Sequence, residues 1–286
     1  MGQDAPRRHL QHAGLQPREF RTISELVQTR CGIKMPPTKK TMLESRLMKR
    51  LRALGMESFK CYCEYLHSPE GMSEELVHMI DAVTTNKTDF FREPDHFHFL
   101  LGRVLPEMRA HGHRRELGVW SAGCSTGEEP YSLAMALGEY EVRNPGTGFS
   151  ILGTDVSTSV LEKASAGVYD MERTAPIPAE LLKKYFLKSK DPGKGLVIVT
   201  PALRSKVRFR RVNFMEDEFG FRDSFDVIFC RNVLIYFDKR TQEAIINRLC
   251  RRLRPGGYMF IGHSETLNGL DTPLSLVAST VYRKHR

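Results

Sequence analysis

Residues 117–130 read LGVWSAGCSTGEEP: an apolar run, a turn of small residues, and two acids that open the next segment. The run has the length of a buried strand. Small side chains between Ser121 and Gly127, Ala122 and Gly123 among them, let a ligand lie against the backbone, and glycine permits a tight turn into the following helix. The turn is neither the GxGxxG of dinucleotide folds nor a P-loop. Glu128 and Glu129 at a helix N-terminus would repel a pyrophosphate, but they suit a cation such as a ligand ammonium; the helix dipole alone would also favour them.

Working outward towards the C-terminus, short apolar runs alternate with helical stretches. The runs are FSILGTD (149–155), KVRFRRVNF (206–214), FDVIFC (225–230), YMFIG (258–262) and a final LSLVASTVYR (274–283). This is the pattern of an α/β, Rossmann-like, mostly parallel sheet covered on both faces. One stretch from Gly167 to Leu203 is too long for a simple connection. Its turn cluster Asp191-Pro-Gly-Lys-Gly is followed by β-branched LVIVT, so a small β-containing insertion is expected at about 168–205. The turn Arg254-Pro-Gly-Gly257 reads as structural.

Upstream of residue 86 the period is helical. Phe20, Ile23, Leu26 and Val27 share a face over Glu19–Thr29, and Leu43, Leu47, Leu51 and Leu54 share one over Thr38–Leu54, with Gly55 just past its end. Further helices are expected near Ser58–Leu66 and Ser73–Thr84. The expected organisation is a disordered lead-in (1–16), a helical N-terminal domain (17–85), a linker contributing to a cofactor site (86–95), and an α/β domain (96–286).

The chain of 286 residues is 41% hydrophobic, enough for a globular core, and carries a formal net charge of +9. Such charge favours a polyanionic partner, nucleic acid or an acidic protein surface. No apolar run approaches the roughly 18–20 residues that cross a bilayer, so no membrane insertion is expected. The N-terminus lacks the apolar core of a secretory signal. The six cysteines have no metal-ligand spacing, so no metal site is expected; they read as reduced thiols of a cytoplasmic protein.

Ligands of open α/β sheets bind outside the carboxyl ends of the strands. There Asp155 can accept both hydroxyls of a ribose, or cap the next helix. Asn213 can read an adenine edge and Phe214 can pack on the ring, although both also suit a turn and a core. Arg231 and Asn232 close a strand so apolar that they would be costly without partners or a ligand. Tyr236 can bring its hydroxyl near a reacting group. A glycine-rich turn, a strand-end acid and an ammonium-binding acid together favour S-adenosylmethionine over NAD. The Asn/Asp-Pro-Pro-aromatic tetrad of many nucleobase methyltransferases is missing after Cys230, which weakens the nucleic-acid reading.

The blocks TTNKTDFFRE (84–93), VWSAGCSTGEEPYS (119–132), GTD (153–155), FDVIFCRNVLIYFD (225–238) and GHSE (262–265) together resemble the CheR-type chemoreceptor glutamate methyltransferases, from about Phe20 to Tyr282. The resemblance implies a class I methyltransferase domain with an inserted β-subdomain behind an all-helical domain. It implies S-adenosylmethionine contacts from Asn86, Thr88, Arg92, Glu129, Asp155, Asn213, Phe214, Arg231 and Asn232, with S-adenosylhomocysteine as product. It implies transfer to glutamate carboxylates on the cytoplasmic domain of a chemotaxis receptor, with a receptor tail peptide docking on the β-subdomain in some members. Gly123-Cys124 departs from the alanines expected there, a change between small residues that should be tolerated. Arg92, which attracts carboxylates, and Tyr236 are the expected catalytic residues. Lys39, Arg46, Lys49, Arg50 and Arg52 on the basic helix would dock a glutamate-rich receptor helix. The competing readings are a nucleic-acid methyltransferase and a non-catalytic, cofactor-binding receptor adaptor.

Overall fold

The computed structural model describes residues 14–112 and 116–285, apart from the side chain of Pro192. The chain divides into two compact units, one ending at Thr84 and one starting at Thr85.

The first unit is helical. α1 (Pro17–Cys31) starts with proline in its first turn, buries Phe20, Ile23, Val27 and Cys31, and stops at Gly32, whose φ of 72° closes the helix. α2 (Lys40–Ala53) buries Leu43, Leu47 and Leu51 completely, whereas Leu54 lies beyond its last turn and is 36% exposed. α3 (Phe59–Leu66) is capped by Ser58, whose hydroxyl accepts the Cys61 amide. α4 (Leu76–Val83) is shorter than the sequence pattern suggests, because a π-helical turn occupies Gly71–Glu75. Gly71 lies so close to the chain at Tyr65 that a Cβ would be 1.9 Å from its carbonyl oxygen. The turn also leaves Glu75 buried. The expected disordered lead-in needs correction at its end: Leu15 is 1% exposed, so apolar burial ties down the residues just before α1, while residues 1–13 lie outside the described ones.

The second unit opens with a continuous helical stretch, α5 (Pro94–Phe99), a π turn at Leu100–Val104 and α6 (Leu105–Ala110). Then come β1 (Leu117–Ala122), α7 (Glu128–Arg143), β2 (Phe149–Asp155), α8 (Thr158–Ala166) and β3 (Val168–Asp170). α9 (Ala179–Tyr185), β4 (Phe186–Lys188), β5 (Leu196–Val199), α10 (Pro201–Arg204) and β6 (Val207–Arg211) follow. The chain finishes with β7 (Phe225–Cys230), α11 (Lys239–Arg252), β8 (Leu253–Ile261), β9 (Leu274–Ala278) and β10 (Val281–Lys284).

The main sheet has the order β6-β2-β1-β7-β8-β10-β9. It is parallel from β6 to β8, and β10 pairs antiparallel with both β8 and β9. This is the expected class I, Rossmann-like arrangement. All six residues of β7 are buried, as a central parallel strand requires. The order reverses between β2-β1 and β7, which opens the ligand crevice at the carboxyl end of β1.

The expectation of one final strand is corrected. LSLVASTVYR is a hairpin that turns at Thr280, where φ is 55°. The turn carries no glycine; the Thr280 hydroxyl is instead engaged by the His96 ring (2.8 Å). The insertion forms a three-stranded antiparallel sheet, β3-β5-β4. In the turn 254–257, Arg254 pairs with the buried Asp226 (3.0 Å), consistent with a structural role.

Candidate active site

Strand ends and the segment 86–93 build the site. β1 runs into Gly123, Ser125 and Gly127, all at positive φ. Gly123 is less interchangeable with alanine than its size suggests: φ is 84°, and a Cβ would come within 2.4 Å of Val233 Cγ2, so that valine would have to move. Asp155 at the end of β2 is 8% exposed. Its Oδ2 accepts the Ser125 amide (2.9 Å) and its Oδ1 the Ser157 amide (3.0 Å). The cap of α8 comes from Ser157, not Asp155: the Ser157 hydroxyl accepts the Val160 amide. A carboxylate oxygen has two lone pairs, so one amide bond to each does not by itself prevent the group from accepting hydroxyls.

The two acids of the first motif diverge. Glu128 is fully buried and turned towards the insertion, where Thr126 Oγ1 (2.6 Å) and Arg173 bond it. Glu129 faces the crevice: Ser121 donates to Oε1 (2.6 Å) and Arg231 Nη1 lies 3.3 Å from Oε2. Burial raises the pKa of Glu129, and Arg231 and Ser121 oppose that rise only in part. A carboxylate held above its ordinary pKa gains from a further cation, which is what a ligand ammonium supplies.

Arg231 closes β7 with a side chain 2% exposed. It bridges Glu129 and Glu93 Oε2 (3.2 Å) and donates to the Arg92 carbonyl. Asn232 sits at φ 58°, with its Nδ2 3.4 Å from Glu93 Oε1. Phe91, Glu93, Ser125 and Asn232 are four of the five non-glycine residues at positive φ among the described residues, so backbone strain concentrates here, as it does at functional sites.

The segment 86–93 is fixed by Phe90, buried against Tyr169 (5.0 Å) and Phe186 (5.8 Å), and by the Phe91 amide, which donates to Ser132 Oγ (2.9 Å). The Asn86 carbonyl accepts Ser125 Oγ (3.0 Å), and the Thr88 carbonyl accepts Arg173 (2.8 Å). Arg92 is 37% exposed and donates to the Lys87 carbonyl (3.3 Å). Asn213 follows Val212, whose amide donates to the Asp155 carbonyl (2.9 Å), and its own Oδ1 accepts the Met215 amide (3.0 Å). Phe214 is buried beside Phe219 (6.2 Å), at the edge of an aromatic cluster around Trp120. Tyr236 is half-buried in the 3-10 turn Leu234–Tyr236. Ala122 is 1% exposed and pairs with Thr154 in the sheet.

Two acids were not legible as site residues from the sequence. Glu93 ties Arg231, Asn232 and the His263 amide (3.3 Å) together. Burial pushes its pKa up, but Arg231 and the His263 amide outweigh burial and hold it below the ordinary value. Glu265, 7% exposed, accepts the amides of Asn232 (2.9 Å), Leu234 (2.7 Å), Ile235 (3.4 Å) and Gly262 (2.6 Å). The signal that could have found it is an acid inside the GHSE block, just past an apolar strand.

In the first unit, the basic helix is partly committed to structure. Arg46 donates to the carbonyls of Val83 (2.9 Å) and Thr84 (2.7 Å), capping α4. Arg50 makes a bidentate pair with buried Glu75 (2.9 and 2.6 Å), which also accepts the Tyr62 hydroxyl (2.8 Å). Lys39 is half-buried, while Lys49 and Arg52 are exposed.

The residues fit an adenosyl sulfonium with an amino-acid tail: a close-approach glycine, a strand-end carboxylate and a partly buried acid facing the crevice. Comparison with known proteins agrees. Residues 86–283 match the model of the CheR methyltransferase SAM-binding domain, and residues 18–84 match that of the CheR all-alpha domain. The chain is 41% identical to a chemotaxis protein methyltransferase of Salmonella typhimurium, over 95% of this chain and 92% of that one. It is 37% identical to one of Borreliella burgdorferi, over 93% of this chain and 94% of that one. Site geometry, domain models and relatives converge, and the chain belongs to the CheR methyltransferase family.

Proposed function

We propose that this chain transfers a methyl group from S-adenosylmethionine to glutamate side-chain carboxylates in the cytoplasmic domain of a chemotaxis receptor. The observation that carries the reading is Glu129, its side chain 14% exposed at the crevice and tied to Arg231, beside the strand-end Asp155. Asp155 would hold the ribose hydroxyls and Glu129 the ammonium. When bound, S-adenosylmethionine supplies an electrophilic methyl. A glutamate acceptor is already ionised at pH 7, since its reference pKa is about 4.3. The chain therefore needs no general base; its work is to align the acceptor oxygen and keep water from it. Arg92 would attract the acceptor carboxylate and Tyr236 would orient it.

The test is incubation with methyl-labelled cofactor and receptor cytoplasmic domains. Label released as methanol in mild base supports a glutamyl ester; base-stable label, or label on RNA or DNA, sinks it. Arg92→Ala and Tyr236→Phe should lower turnover more than cofactor affinity, and near-normal turnover of both would remove their assignment. No helix among the described residues is long and apolar enough to cross a membrane. A receptor tail peptide would have to use the β3-β5-β4 subdomain, where Val168 and Leu187 expose apolar surface.

Receptor steering by the basic helix would fall to Lys49 and Arg52. Lys49→Glu with Arg52→Glu should slow receptor association and flatten its salt dependence, with stability changed by less than about 0.5 kcal/mol. Arg50→Ala should behave differently, because it strips buried Glu75 of its cation. The expected loss is about 2–3 kcal/mol, below that of a fully buried pair because Arg50 is partly exposed. Urea denaturation of the two variants distinguishes these outcomes.

A further inference from the structure

We propose that Glu93, His96 and His263 form a binding site for one divalent transition-metal ion of the zinc class, at the edge of the Arg231 network. One donor atom from each of the three lies within 4.8 Å of the others. Glu93 Oε2 is 3.5 Å from His96 Nδ1 and 4.0 Å from His263 Nε2. Zinc binds such donors at about 2.0–2.2 Å, which puts tetrahedral donors about 3.3 Å apart, so closure shortens the Glu93–His263 pair by roughly 0.7 Å and the two histidines by up to about 1.5 Å, a shift the half-exposed His263 side chain can make.

The stronger argument is the state of His96. The side chain is 3% exposed and its Nδ1 has no hydrogen-bond partner. The contact between His96 Nε2 and the Thr280 hydroxyl (2.8 Å) serves either tautomer, and the hydroxyl can donate to the Ser279 carbonyl (2.8 Å) while accepting from Nε2–H. In the neutral tautomer protonated at Nε2, Nδ1 carries a lone pair 3.5 Å from the Glu93 carboxylate. In that tautomer two electron-rich atoms sit close together in a buried place, and a cation between them is favourable. A ring N–H held by an acceptor that is not itself a ligand is also the usual arrangement of a metal-bound histidine. His263 is half exposed, giving the ion an entry path and leaving room for water as a fourth ligand. Arg231, 3.2 Å from the same Glu93 oxygen, shares that ligand and repels the ion, so binding should be weaker than at a site without a neighbouring cation.

The test is titration of the tag-free full chain with Co2+, followed by visible absorbance, with Zn2+ competition by calorimetry. One equivalent of Co2+ should give the visible bands of a low-symmetry four- or five-coordinate site, and Zn2+ should abolish them. His263→Gln and Glu93→Gln should each weaken binding by about tenfold or more, while His98→Gln, on an exposed side chain, should not. Circular dichroism confirms that each variant is folded. Absence of the bands in the wild-type chain, or their survival in both His263→Gln and Glu93→Gln, overturns the proposal. The readout is independent of methyl transfer, so it stands or falls apart from the proposed activity.

Discussion

Asp155→Ala is expected to abolish measurable cofactor uptake while leaving a folded chain. The carboxylate terminates β2 beside the Ser125 turn, and both of its oxygens are oriented by amides at 2.9 and 3.0 Å. Hydrogen bonds to a charged acceptor contribute about 1.5–3 kcal/mol each, so two ribose hydroxyls account for about 3–6 kcal/mol. That corresponds to an affinity loss of about 10²- to 10⁴-fold. The substitution also leaves two amides without their acceptor, and a lower melting temperature is expected even without ligand. Asp155→Asn separates the two effects. It keeps one carbonyl oxygen for an amide but loses the charge and one acceptor. Calorimetry with S-adenosylhomocysteine should show the affinity loss in both variants, while the unliganded melting temperature falls less in the Asn variant. Affinity of Asp155→Asn within about tenfold of wild type would mean that the ribose is held elsewhere.

What the sequence could disclose followed from how each residue meets its partners. β7 was legible because a strand buried on both faces must be apolar throughout, and FDVIFC is. Arg231 was legible for the complementary reason, a charge at the end of such a strand. The final hairpin was not. Its turn residue Thr280 is met by the His96 ring, which lies 184 positions earlier. Glu93 was hidden in the same way, since Arg231 is 138 positions away. Charge counting placed Arg46 and Arg50 with the other cations of α2. It could not reveal that Glu75 is buried in a π turn to pair with Arg50, or that the carbonyls ending α4 point at Arg46. Both arginines therefore have structural work that composition assigns to a partner protein.

The second large effect is expected at Glu265. Its two oxygens accept four backbone amides, from Asn232, Leu234, Ile235 and Gly262, in a place that is 7% exposed. They shape the chain from the end of β7 to the turn that carries Tyr236, and they hold Asn232 at its strained φ of 58°. Removing the carboxylate orphans buried donors at about 1–3 kcal/mol each, with water relieving some of them, so Glu265→Ala should lose about 3–5 kcal/mol. For a domain of this size that is a fall of about 6–20 °C in melting temperature. Glu265→Gln should recover only part of this, because its NH2 would face amide donors with another donor. A purely structural role predicts that the folded fraction of Glu265→Gln, assayed well below its melting temperature, turns over normally. A positioning role predicts instead that kcat stays low in fully folded protein, because Tyr236 and Asn232 are no longer held in register with the crevice. Normal kcat in folded Glu265→Gln would remove Glu265 from the site and leave it a stabiliser of the turn alone.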